Sequence, residues 1–180
     1  VVTPSSAHDA YWMLRASIQH PDPVIFMEPK RRYWLKGEVD FSDTDFNPFC
    51  AATLREGSDL TLVSYGPMVP TALAAAEAAR EDGHDVEVID LRSISPLDIE
   101  TICASVAKTG RLVVAQEAYN FVSVASEISA AVTERCFYSL EAPVLRVGAF
   151  HTPYPVPRSE EEYVPGIDRI LEAIDRSFAY

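Results

Sequence analysis

Residues 60–91 read LTLVSYGPMVPTALAAAEAAREDGHDVEVIDL, and this stretch decides the fold class. Leu60–Tyr65 is a short apolar run, a strand, closed by Gly66-Pro67. Val69–Glu81 is rich in alanine and predicts a helix that ends at Gly83. Val86–Leu91 is a second apolar run. Strand, helix, strand within about thirty residues is the unit of a parallel sheet, whose buried strands are short and continuously apolar.

The same alternation continues downstream. Ser95, Pro96 and Asp98 predict a helix start, with serine as N-cap, proline at the first position and an acid at the third. Ile99, Ile102, Cys103 and Val106 form its buried stripe, and Gly110 ends it. Arg111–Ala115 is a strand. A helix over 121–137 buries Phe121, Ala125, Ile128, Val132 and Cys136. Val144–Val147 is a strand. Ser159 and Glu162 predict a capping box. After Pro165 comes a last helix with Ile167, Ile170, Leu171, Ile174 and Phe178 at helical spacing.

Upstream, Val1-Val2 reads as a strand end. A helix over 8–19 places Tyr11, Leu14 and Ile18 on one face. His20-Pro21-Asp22-Pro23 stops it, and Val24–Met27 reads as a buried strand. Residues 30–58 are charged, carry scattered aromatics and show no clear period, so they read as a long linker that packs against something. The whole predicts an α/β fold with a mainly parallel sheet.

The length, 180 residues, allows about one domain or one and a part. Val1–Pro4 lacks both a Met and the pattern of a signal peptide, and reads as a cut end. No run of roughly 18 apolar residues exists to span a membrane. Asp plus Glu is 27 against 15 Lys plus Arg, a net charge of −12, which disfavours nucleic acid as a partner. The acids at 38–45 and 160–162 read as solvated surface. Three cysteines (Cys50, Cys103, Cys136) without a CxxC spacing argue against disulfides and zinc, and fit a reducing cytoplasm.

Few residues point to chemistry. The strand–turn–helix at 60–82 with Asp90 copies the layout of a dinucleotide fold, but the turn holds one glycine and Pro67 removes an amide. Asp90 reads instead as a cap or loop residue. The four histidines form no metal pair: His84 reads as a solvated turn residue, and His151 as a loop residue that could reach a cleft, with a structural role favoured. Gln116-Glu117 closes a strand at the sheet's carboxyl edge, with a structural role favoured.

The residues do add up to a resemblance. Val1–Ser6 with Asp9-Ala10, Pro21–Lys30, Val88–Arg92 with Ser95–Asp98, Thr109–Val114, Gln116–Ala118, Glu141–Val144 and Thr152–Pro155 follow in order along the chain. Together they resemble the β subunit of the E1 component of 2-oxoacid dehydrogenase complexes. Glu28–Tyr33 is more similar to the branched-chain than to the pyruvate type.

That resemblance implies a fold: residues 1–30 as the tail of a pyrimidine-binding domain, 31–57 as linker, and 58–180 as a transketolase-type C-terminal domain. The latter is a three-layer sandwich with a five-stranded sheet. It implies thiamine diphosphate and magnesium in the full α/β assembly, with oxidative decarboxylation of a branched 2-oxo acid and acyl transfer to lipoyl-E2. The family's catalytic residues match nothing here, so no cofactor is expected on this chain alone. The implied partners are the E1 α subunit, a second β subunit and the basic peripheral-subunit binding domain of E2.

Two candidate sites follow from the resemblance. A potassium ion held mainly by backbone carbonyls would lie at Ser17, Ile18, His20 and Asp22, although His20 stands where aspartate is common. Tyr180 and the terminal carboxylate would meet E2. Tyr119–Val124 replaces a glycine-rich stretch, which predicts a stiffer loop and a longer helix start, and His151 replaces a frequent aspartate. Other classes consistent with the residues are a stand-alone assembly module, a pyruvate- or acetoin-type E1, and a deoxyxylulose-phosphate synthase.

Overall fold

A computed structural model describes residues 1–180. Its sheet has five strands: β1 (Ala52–Arg55), β2 (Leu60–Ser64), β3 (Val86–Asp90), β4 (Leu112–Tyr119) and β5 (Leu145–Ala149). Their order is β1-β3-β2-β4-β5. β1 is antiparallel to β3, and every other pairing is parallel. The helices are α1 (Ala7–Gln19), α2 (Val69–Glu81), α3 (Ile99–Thr109), α4 (Val124–Cys136), α5 (Glu160–Tyr163) and α6 (Ile167–Phe178).

All five residues of β2 and of β3 are buried. Successive side chains point to opposite faces, so both faces need cover. Leu60, Leu62, Val86, Val88, Val113 and Ala115 face the alanines of α2 together with Ile170 and Ile174 of α6. Val63, Ile89, Leu112 and Val114 face α3 and α4. The expected α/β sandwich is therefore present, with helices on both sides. The α3 side also carries a buried polar seam. Thr61 Oγ1 lies 2.6 Å from Ser105 Oγ and 2.7 Å from Thr109 Oγ1. Ser105 Oγ donates to Glu87 Oε1 at 2.5 Å, and Lys108 pairs with the same carboxylate. Each member is satisfied, so the seam does not penalise burial.

Several elements differ from the sequence reading. Residues 31–57 are not free of regular structure, since β1 joins the sheet from within them. Its four residues at the sheet edge include none that is buried and show no alternation, too weak a signal to read. The capping of α3 falls to Asp98, not Ser95: its carboxylate accepts from Thr101 N at 3.1 Å and from Ala51 N at 3.0 Å, so one acid starts the helix and pins the entry to β1. α4 starts at Val124, because Ser123 Oγ accepts from Ser126 N. The start is shorter than expected, and Phe121 is exposed outside the helix. Val122 precedes the cap at φ 47°, a left-handed value no helix continues. Ser159 makes no capping-box bond; it ends a 3-10 turn at φ −108°, ψ 10°, not in the extended geometry of a capping residue. His84 is not simply solvated, for it stacks on Phe178 with ring centroids 4.0 Å apart.

The N-terminal segment differs most. Val1-Val2 and Val24–Met27 form no full strands. Val2 makes single bridges to Phe26 and Ser93. Ile25 and Met27 are exposed, because no further strand pairs beyond them. α1 has the expected span, but it buries Asp9, Trp12 and Met13, whereas Tyr11, Leu14 and Ile18 face outward. The segment after residue 38 packs on α1: Trp12 Nε1 donates to Asp40 O at 2.8 Å, His8 Nε2 lies 3.0 Å from Asp43, and Phe41 meets Tyr11 edge-on. Part of the acidic stretch is thus paired.

Gly57 turns the chain between β1 and β2 directly against β3. A Cβ there would collide with the backbone of Val86 and Glu87, which cannot move without breaking the ladder. Gly57→Ala is expected to cost about 2–3 kcal/mol in urea unfolding. Gly166→Ala, in open space at φ −89°, is expected to change stability by less than about 0.5 kcal/mol.

Candidate functional site

In a doubly wound sheet, ligands gather at the carboxyl ends of the strands, where the strand order reverses. Here that point lies between β2 and β4, and side chains close it. Ser64 Oγ donates to Ala115 O at 3.0 Å, and Tyr65 OH to Gln116 Oε1 at 3.3 Å. Gln116 is fully buried. Its Oε1 also accepts from Ala125 N, and its Nε2 donates to Ala118 O and Tyr119 O. All its capacity is used, so it fixes the β4–α4 turn. Burial pushes the Tyr65 phenol up to about 12, which keeps it a neutral donor. Thr3 packs over Gly66, and Arg32 donates to Pro67 O at 3.0 Å. The crevice that would take a dinucleotide is filled.

Asp90, read from sequence as a cap or loop residue, is the buried end of β3 and the centre of a charge cluster. Ser5 Oγ lies 2.5 Å from Asp90 Oδ2 and 3.1 Å from Asp9 Oδ2. Asp9 Oδ1 is 3.0 Å from Arg92 Nη2, and Arg92 N donates to Asp90 Oδ1 at 3.0 Å. The Arg92 guanidinium lies over the Phe46 ring at 4.6 Å, and its Nε has no hydrogen-bond partner. Backbone bonds complete the attachment: Thr3 N to Arg92 O at 2.9 Å and Ile94 N to Val1 O at 2.8 Å. The cluster locks the N-terminal segment and α1 onto the carboxyl edge of the sheet.

One proton separates two carboxylates at Ser5, so a proton on Asp90 would satisfy both contacts. Desolvation raises the Asp90 carboxyl from 3.8 to about 6; the hydrogen bonds from Ser5 and Arg92 N oppose this, and Asp9 adds to it. Apart from the cluster, an open cleft of about 610 Å³ lies between the ends of β4 and β5, lined by Glu117, Tyr119, His151, Tyr154 and Tyr163. His151 reaches it, as its position suggested. The ring packs on Tyr119 at 4.6 Å and Phe121 at 5.1 Å. Glu117 pairs with Arg31 at 2.8 Å on the surface.

The remaining candidate residues sit apart. Ser17 lies in the last turn of α1, its hydroxyl donating to Met13 O, and Ile18 is 77% exposed. His20 caps the helix, and its Nδ1 accepts from Asp22 N at 3.1 Å. The turn brings these four positions together at one helix end, where carbonyls lack helical partners. Tyr180 is exposed beyond α6, far in sequence from that turn. No three His, Cys, Asp or Glu side chains group as a metal set. Sequence reasoning missed the cluster of Asp9, Asp90 and Arg92; a lone acid at a strand end and an arginine after it were the only signals.

A second surface has an apolar character. Leu14, Phe26, Trp34 and Leu35 line a groove of about 550 Å³ between α1 and the segment 26–35. Trp34 is 90% exposed, and Ile18, Ile25 and Met27 extend the same kind of surface.

A family model described as "Transketolase, C-terminal domain" matches residues 50–170. The chain is 54% identical over its whole length to "Pyruvate dehydrogenase E1 component subunit beta" of Leifsonia xyli, covering 53% of that protein. It is 48% identical over 178 residues to "3-methyl-2-oxobutanoate dehydrogenase subunit beta" of Mycobacterium tuberculosis, covering 51%. The chain thus spans about half the length of the curated relatives it matches. A split-gene transketolase, solved as an inactive β4 tetramer, superposes over 99% of this chain and 56% of its own at TM-score 0.80 and 24% identity, which shows the shared fold.

Because the folded Asp90 value lies above the unfolded one, this group's contribution to stability falls as pH rises from about 4 to about 6, by up to about 3 kcal/mol. Measured by urea unfolding, wild type minus Asp90→Asn is expected to follow that slope and to flatten above pH 7. Arg92→Ala, which leaves Asp9 buried without its cation, is expected to cost about 3 kcal/mol at pH 7.

Proposed function

The chain belongs to the transketolase C-terminal-domain family, and on that premise we propose that it is the C-terminal part of an E1 β subunit of a 2-oxoacid dehydrogenase. The observation that carries this is the identity to two E1-type β subunits, 54% and 48%, which runs through the N-terminal segment as well as the sheet. In this reading residues 1–30 end a pyrimidine-binding domain, 31–57 connect, and 58–180 form the C-terminal domain. The Asp9–Arg92–Asp90 lock then holds the two domains in register. The apolar groove by Trp34 is the surface that the rest of the assembly covers.

The whole enzyme would use thiamine diphosphate and magnesium to decarboxylate a 2-oxo acid and pass the acyl group to lipoyl-E2 in the cytoplasm. The cofactor supplies the carbanion chemistry, and this chain supplies scaffold and contacts. Its partners would be the E1 α subunit, a second β subunit, and the E2 binding domain, met by Tyr180 and the acidic surface. Potassium would bind the carbonyls around Ser17, Ile18, His20 and Asp22. For the substrate, Glu28–Tyr33 favours a branched-chain 2-oxo acid. The Leifsonia relative, named for pyruvate dehydrogenase, favours pyruvate as the second reading.

The 180-residue chain with thiamine diphosphate and magnesium is expected to show no decarboxylation of pyruvate or 3-methyl-2-oxobutanoate. The assembled α/β enzyme is expected to turn over one of them at least about tenfold faster in kcat/KM, a difference that decides the subtype. Turnover by the chain alone, or none by the assembly, rejects the reading. Binding of the E1 α subunit, or of the pyrimidine-binding half supplied in trans, is expected to shift Trp34 fluorescence to the blue, with Trp34→Phe removing the shift. For E2 docking, affinity unchanged by both salt and a Tyr180 deletion would reject that contact.

A further inference from the structure

The chain has a net charge of −12, and six of its twelve arginines pair with an acid. Arg146, Arg169 and Arg176 are not in any ion pair, yet they line one pocket. The pocket has a volume of about 310 Å³ and sits between the outer edge of β5 and α6. Its lining includes neither Tyr180 nor His151, and the proposed assembly role uses none of its residues.

Two of the guanidiniums are held in place. Arg146 Nη1 donates to Ser126 Oγ at 2.8 Å and to Asn120 O at 3.2 Å, and Asn120 Nδ2 donates back to Arg146 O at 3.0 Å. Arg169 Nη2 donates to Gly148 O, and its plane lies over Phe150 at 4.7 Å. Arg169 Nη1 is buried without a hydrogen-bond partner. An unpaired buried donor on a cation is costly, and three arginines against a single carboxylate, Glu172, leave the pocket with a net positive charge. Arg176 in the last turn of α6 has the helix dipole to favour it; Arg169, in the first turn, has the dipole against it. Its position is not explained by the helix. Glu172 also lines the pocket but is exposed and pairs with none of the three.

We propose that the pocket formed by Arg146, Arg169 and Arg176 binds a phosphate group, free or carried on a small molecule. Guanidiniums present planar forks of N–H donors, which suit the oxygens of a tetrahedral oxyanion. Fixed poses reduce the entropy lost on binding. The volume of about 310 Å³ admits a phosphate with a small substituent.

Calorimetric titration of the protein with inorganic phosphate and with glycerol 3-phosphate, at constant ionic strength, tests this. Saturable binding is expected for at least one of them, and their relative affinity tells free phosphate from an esterified group. Arg176→Gln, at an exposed position, is expected to weaken it about tenfold, and Arg146→Gln similarly. Glu172→Gln is expected to tighten it, and Arg158→Gln, an unpaired arginine elsewhere, to leave it unchanged. Should Arg146→Gln unfold the protein, Arg176→Gln and Glu172→Gln still decide. No saturable binding, a loss with Arg158→Gln equal to that with Arg176→Gln, or tighter binding of citrate than of either phosphate overturns the proposal. Failure here leaves the E1 reading intact, since that reading rests on turnover.

Discussion

The structure depends on the burial of β2 and β3 on both faces. A strand covered on one side only would expose half of its apolar residues. Helices must therefore lie on both sides of the sheet, and parallel pairing requires each connection to cross over. α2 covers one face, with α6 beside it, and α3 with α4 covers the other. The reversal of strand order between β2 and β4 is the consequence, as is the crevice at their carboxyl ends. In many such folds that crevice is a binding site. Here Ser64, Tyr65 and Gln116 stitch it shut, and the N-terminal segment lies across it.

That segment is attached by electrostatics more than by strand pairing. Val2 makes single bridges, so the attachment needs another source of free energy. Burial of Val2, Trp12 and Met13 supplies it, and the cluster of Asp9, Asp90, Ser5 and Arg92 fixes the geometry, with a carboxylate kept in a place that resists charge. Buried ion clusters are specific before they are stabilising. This one sets where α1 sits relative to the sheet, and so which side of α1 faces outward. The outward side, with Leu14 and Ile18, then joins the exposed groove by Trp34. The placement of the exposed apolar surface is thus a result of the charge lock.

Much of the sheet was legible because its signals are local. Leu60–Ser64, Val69–Glu81 and Val86–Asp90 each follow from a run or a period within a few residues of the expected bounds. Gly110 ended α3 as its left-handed φ of 70° requires. β1 was not legible, since an edge strand of four residues, none of them buried, has neither an apolar run nor an alternation. The caps at Asp98 and Ser123 were displaced by a few residues, because several polar residues competed and only the neighbouring strand chose among them. Asp98 won by reaching Ala51 as well as Thr101. Of the candidate sites, the positions 17–22 were readable as a helix end, whereas Asp90 and Arg92 carried no local sign of their partner 80 residues upstream.

The sequence by itself determined the α/β class, the order of the parallel strands' helices and the family resemblance, because these rest on periodicity, turn residues and ordered motifs. Only the tertiary structure decided which face of α1 is buried, that the switch-point crevice is closed, and that three arginines from β5 and α6 share a pocket. Each of these depends on pairs of residues distant in the chain. Their contact energies exist only after the sheet has brought them together.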